Sequence, residues 1–110
     1  MESEMDHNFD EFFERQADWS RVTFGPDNIR GPIGPLKHLE KESREAQESS
    51  GDIEEYADCL FLICDAARRA GFTKEQLIGA AFAKLAKNKA RTWPDWKTAP
   101  PDTPIEHVRQ

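Results

Sequence analysis

An all-α, antiparallel helical bundle is the fold this sequence predicts, on three observations. No segment alternates apolar and polar residues as a half-buried strand would. Apolar residues instead recur at three- and four-residue spacing in successive stretches. Two of those stretches open on capping-box spacing, Asp52 with Glu55 and Thr73 with Gln76. The chain of 110 residues has the length of one domain, expected to span 1–110. A domain this small buries a reduced share of its surface, so its core is expected to be completed by oligomerisation.

The elements follow in order. Residues 1–7 are expected to form an extended or flexible end. Between Asn8 and Ser20, Phe9, Phe12, Phe13 and Ala17 share one helix face. From Thr23 to Pro35 runs a loop with three Gly-Pro pairs. It is not a phosphate-cradling loop, because it lacks a Gly-Lys-Ser/Thr ending and each proline removes a backbone N–H. The second helix is expected from Pro35 to Glu48, with a thin apolar stripe of Leu36, Leu39, Ser43 and Ala46. Ser49 to Asp52 break it. A third helix then runs to Ala70 and stops at Gly71, with Arg68 and Arg69 suiting the dipole of its last turn. A fourth runs from Thr73 to about Thr92, striped by Leu77, Ile78, Ala81 and Leu85, and Pro94 follows it. The tail, 95–110, is expected to be extended.

Charge and composition narrow the function. A net charge of −6 argues against a nucleic-acid backbone binder, which needs clustered Lys and Arg. Cys59 and Cys64 lie five apart on one helix, point in different directions and read as small buried hydrophobes in a reducing compartment. His7, His38 and His107 show no zinc spacing. There is no apolar run of roughly 18 residues, and Met1 to Asp10 is acidic, unlike a signal peptide. A soluble cytoplasmic protein with no membrane partner is expected.

The third helix carries the informative pattern. At about 100° per residue, Ile53, Tyr56, Ala57, Cys59, Leu60, Ile63, Cys64 and Ala67 form a wide apolar arc. The narrow remaining arc holds Glu54, Glu55, Asp58, Asp65 and Arg69, with Leu62 among them. Asp is a poor helix former, and like charges at this spacing repel. On the second helix, Glu42 and Glu45 share a face. An antiparallel hairpin across the Ser49–Asp52 turn lets them meet Glu55 and Asp58. Four converging carboxylates need cations to stay ionised, and Mg²⁺ suits oxygen ligands and phosphate. The competing reading is a non-catalytic helical interaction module whose acidic face docks a basic partner.

The pattern Glu42-x-x-Glu45 and Glu55-x-x-Asp58 resembles the metal signature of the all-α MazG-like nucleoside triphosphate pyrophosphohydrolases. The run Lys84 to Pro94, with Asn88, Arg91 and Trp93, is similar to the ending of that superfamily's substrate helix. Phe24-Gly-Pro, the run Gly34 to Glu42 and the tail Glu106 to Arg109 resemble the phage and bacterial dATP/dGTP diphosphohydrolases. The likeness covers most of the chain from about Trp19. Two departures stand out: the gap from Glu45 to Glu55 is shorter than in many members, and Lys41 stands where many relatives place another Glu.

The resemblance implies hydrolysis of purine deoxynucleoside triphosphates, dGTP or dATP, to the monophosphate and pyrophosphate. Water would attack the α-phosphorus, activated by two or three Mg²⁺ ions, with Mn²⁺ as a substitute. Glu42, Glu45, Glu55 and Asp58 would hold the metal, and Glu42 or Glu45 would act as general base. Lys84, Asn88 and Arg91, on one side of the fourth helix, would bind phosphates. Trp19, Phe24 and Arg30 are candidates for a nucleobase pocket by stacking and hydrogen bonding. Asp65 is either a supporting acid that orients Lys84 or Arg91, or a salt-bridge partner of Arg69. His38, on the face of Glu45, either approaches a phosphate or lies on the surface. A homo-oligomer, dimer or dimer of dimers, and a phage origin complete what the family implies.

Overall fold

The structure, a computed structural model, describes residues 8–109. All its regular elements are helical: α1 (Phe9–Phe24), α2 (Ile33–Glu48), α3 (Ile53–Arg69) and α4 (Lys74–Ala90), then a short 3-10 turn at Trp96–Thr98. The expected all-α helical bundle is thus the fold found. Its contacts gather into two compact units, Met1–Leu77 and Ile78–Gln110, each described by itself below. The expected end at residues 1–7 lies outside the described residues.

In the first unit, α1 opens at Asn8, whose side chain accepts from the Glu11 amide at 3.0 Å. It runs a turn past the expected end at Ser20, stopping where Gly25 takes φ +102°. A Cβ there would also lie 3.2 Å from Arg30 Cγ, so the stop depends on glycine. Helix α2 begins at Ile33, two residues before the expected Pro35, which falls in the first turn where its missing N–H costs nothing. Asp52 caps α3 through the Glu54 amide at 3.0 Å. Among the described residues Glu55 does not close the expected box; its carboxylate lies in the acidic cluster described below. The Tyr56 hydroxyl donates to the Ser50 carbonyl at 2.8 Å and ties down the α2–α3 turn. Thr73 and Gln76 do form a reciprocal box, at 2.9 and 3.1 Å, that starts α4.

Helix α3 packs against both α2 and α1. Its buried face corrects the sequence expectation. Leu62, Cys64, Asp65, Ala66, Arg68 and Arg69 are buried, while Ile53 and Tyr56 of the expected apolar arc are 77% and 51% exposed. The inversion has a physical cause: the buried charges neutralise one another. Asp65 accepts from Arg68 at 2.6 Å and from Arg69 at 3.1 Å. Arg69 also donates to the carbonyls of Gly25 (3.1 Å) and Arg30 (2.9 Å) and to the Ser20 hydroxyl (2.9 Å). Asp27 bridges Arg21 and Arg68, each at 3.2 Å. Charges paired and hydrogen-bonded in this way tolerate burial that single charges would not, although Arg68 Nη1 is left without a partner among the described residues. Phe13 and Ala17 of α1 complete this core. Phe61 joins it to the first helix through edge contacts with Phe12 and Trp19.

The second unit holds most of α4 and the tail. Instead of simply extending, the tail turns at Trp96–Thr98, capped by Asp95, and returns so that the Val108 amide donates to the Thr92 carbonyl at 2.8 Å.

Candidate active site

The α2–α3 hairpin brings three of the four predicted carboxylates together. Oxygen atoms of Glu42, Glu45 and Glu55 all lie within 4.8 Å of one another. Asp58, one turn after Glu55, is exposed and stands outside that cluster, but it lines a groove with Glu42. Glu42 is only 9% exposed and accepts from His38 Nε2 at 3.0 Å. Sequence reasoning left His38 open; its place four residues before Glu42 was the signal for this contact.

Crowding shows in the proton affinities. A hydrogen bond shared with Glu45 holds the Glu42 carboxyl below its usual range against the effect of burial, and His38 adds to it. That shared bond and the Glu42 charge push Glu45 up. Burial, then the charges of Asp52 and Asp58, push Glu55 up. Glu55 Oε2 is buried without a hydrogen-bond partner among the described residues. An orphaned acceptor in an all-oxygen cluster fits a hard divalent cation.

Two cavities share His38, the partner of Glu42. One, of about 360 Å³, is lined by Trp19, Phe24, His38, Glu42, Asp58 and Phe61. The other, of about 420 Å³, has Phe24, Arg30, Ile33, His38 and Leu62 in its wall, with Asp65 and Arg69. Trp19 and Phe24 meet edge to face at 5.3 Å, and each is about half exposed (53% and 49%). Of the predicted base-binding residues, Trp19 and Phe24 line the first cavity, and Phe24 and Arg30 the second. Sequence reasoning missed Phe61, and it missed Asp27, whose bond to Arg68 spans 41 positions and leaves no local trace. Asp65 takes the second of its two expected places, paired with Arg69.

Lys84, Asn88 and Arg91 belong to the second unit. Lys84 is exposed. Asn88 Oδ1 accepts from Arg91 at 3.3 Å, and the Asn88 carbonyl accepts from Trp93 Nε1 at 2.7 Å. Asn88 therefore orients Arg91 with its oxygen and keeps its amide nitrogen as a donor.

The model of the dATP/dGTP pyrophosphohydrolase family matches residues 12–110. The chain belongs to that family. It is 47% identical over 85 residues to the Eaa protein of Salmonella phage P22, an alignment covering 77% of this chain. The chain spans about a quarter (26%) of the length of that curated relative. Its fold is also similar to the MazG-like pyrophosphohydrolase of cyanophage S-2L, solved with dGDP and three catalytic Mn²⁺ ions per active site. That match has a TM-score of 0.70 and 29% identity, and covers 94% of this chain and 99% of the other. The likeness to a phage MazG-like branch read from the motifs is thus borne out. Among the described residues no helix is long and apolar enough to cross a membrane.

Proposed function

We propose that the protein hydrolyses purine deoxynucleoside triphosphates, dATP or dGTP, to the monophosphate and pyrophosphate, with Mg²⁺ as its metal and Mn²⁺ as a substitute. The observation that carries this reading is the convergence of Glu42, Glu45 and Glu55, with Asp58 one turn after Glu55, in a chain of this family. These four residues would hold the divalent ions. Bound there, such ions supply charge neutralisation on the phosphates and acidify water for attack at the α-phosphorus.

The chain's own groups do the rest. Glu42 or Glu45 accepts the proton of the attacking water. His38 keeps Glu42 ionised and turned inward. Trp19 and Phe24 offer an aromatic edge at the mouth of the acidic groove, and Arg30 a cation on the adjoining wall, for the nucleobase. Lys84, Asn88 and Arg91 supply donors for the phosphates. A second copy of the chain covers the exposed apolar stripe Ile53, Tyr56, Leu60 and Ile63 of α3.

The test is pyrophosphate release across all natural dNTPs and NTPs with Mg²⁺ or Mn²⁺. Release from dGTP or dATP, lost in Glu55→Gln and Asp58→Asn, supports the reading. A full panel without pyrophosphate removes it.

A further inference from the structure

The second unit contains a cation cluster that sequence spacing does not reveal. Two contacts set the tail against the end of α4. The Val108 amide donates to the Thr92 carbonyl at 2.8 Å, and the His107 ring meets Trp93 edge-on at 5.9 Å. Position 107 thus lies beside 93 and 108 beside 92. The same antiparallel register carries 109 beside 91. Arg91, His107 and Arg109 accordingly line one cavity of about 510 Å³, together with Ala90, Thr92 and Val108.

No lining residue of this cavity is acidic. Like charges directly opposite across paired chain segments are destabilising, so the pairing of two arginines calls for a counter-charge. Arg91 is not free to swing away, because Asn88 Oδ1 holds it at 3.3 Å and Trp93 anchors the same residue's carbonyl. Among the described residues Arg109 makes no ion pair. Two guanidinium forks around a cavity match the oxygens of a phosphoanion, which each can grip with two parallel N–H bonds. A net charge of −6 on the chain makes a nucleic-acid backbone a poor occupant.

We propose that Arg109 and His107 of the tail join Arg91 in a binding site for a diphosphate group, the one that leaves as pyrophosphate. The identity of this ligand rests on the proposed hydrolysis; the anion site itself rests on the register and the cavity. The tail is then a working part of the molecule, and Arg109 and His107 bind phosphate although they lie outside the substrate-helix motif.

Calorimetric titration of the full-length protein tests this with two probes, inorganic pyrophosphate and a non-hydrolysable dGTP analogue, in Mg²⁺ and in EDTA. Arg109→Gln is expected to weaken both by about tenfold or more, the scale of a lost charge-assisted hydrogen bond, with Arg109→Lys recovering part. Arg109 is exposed and faces another arginine, so the melting temperature should not fall below the wild-type value. Unchanged affinity for both probes overturns the proposal, as does a loss for free pyrophosphate alone, which separates the site from the nucleotide. Binding is read without turnover. A protein that binds the analogue through Arg109 but releases no pyrophosphate keeps the site and loses the proposed function.

Discussion

The two ends of α3 handle charge in opposite ways. At its C-terminal end, Asp65, Arg68 and Arg69 are buried and paired, and their bonds reach Ser20, Gly25, Asp27 and Arg30. At its N-terminal end, Glu55 meets Glu42 and Glu45, acid against acid, with His38 and Lys41 as the nearby bases. The first arrangement pairs each charge with an opposite one. The second is strained until something positive enters. One helix therefore separates what holds the fold from what is ready to bind, and substitutions at its two ends should have opposite signs.

The largest expected effect is at the paired end. Arg69→Ala leaves Asp65 buried beside unsatisfied carbonyls, and should cost about 3–5 kcal/mol of stability in urea unfolding. A loss below ~1 kcal/mol would put the cluster in the class of exposed ion pairs. Next comes the metal. At a concentration of about 100 times Kd, Mg²⁺ or Mn²⁺ should add roughly 2.7 kcal/mol, read as a rise in melting temperature. Glu55→Gln should abolish that rise. Without metal, the same substitution should slightly raise the melting temperature, because it removes repulsion. A fall would contradict the contrast between the two ends.

Smaller effects follow from pH in metal-free buffer. Burial alone would raise the Asp65 carboxyl, but its bonds with Ser20, Arg68 and Arg69 hold it below its ordinary value; Asp27 is likewise lowered, by Arg68 and Arg21. Their stabilisation is full above the ordinary carboxylate value near 3.8 and is lost as pH falls through the depressed values. Glu45 and Glu55 are raised, so their contribution is present below the ordinary value of 4.5 and is lost as pH rises through the raised ones. Melting temperature should therefore peak in mild acid, and added Mg²⁺ should flatten only the neutral side. The smallest effect concerns Cys64. Burial pushes its thiol up to about 11, so native protein should leave it unmodified by iodoacetamide at neutral pH.

Helix order and the hairpin that joins the two acid pairs were legible in the sequence because both are local. Capping residues, turn residues and three-residue spacing act over one or two turns. The orientation of α3 was not legible. Periodicity assigns the inside to the more apolar arc, and here Leu62, Cys64 and a set of mutually neutralised charges lie inside while Ile53, Tyr56 and Leu60 lie outside. Asp27 and Arg69 make their bonds over 39 to 49 positions, beyond the reach of any window. The tail's return to Thr92 likewise depends on a distant backbone bond and a ring contact of His107 with Trp93. Where His38 meets Glu42, four residues on, the spacing was visible but did not separate a surface histidine from a partner.

Arg69 grips the loop after α1 by main-chain oxygen, at Gly25 and Arg30. Every amino acid carries that atom. The anchor is therefore blind to most of the loop's side chains, apart from the glycine required at 25 and Asp27, whose carboxylate bridges Arg21 and Arg68. Positions such as Asn28, Ile29 and Arg30 can exchange residues without loosening the frame, and Ile29 and Arg30 line the cavity of about 420 Å³. Descendants of this chain could retune what the cavity accepts by point changes there, while inheriting the scaffold intact.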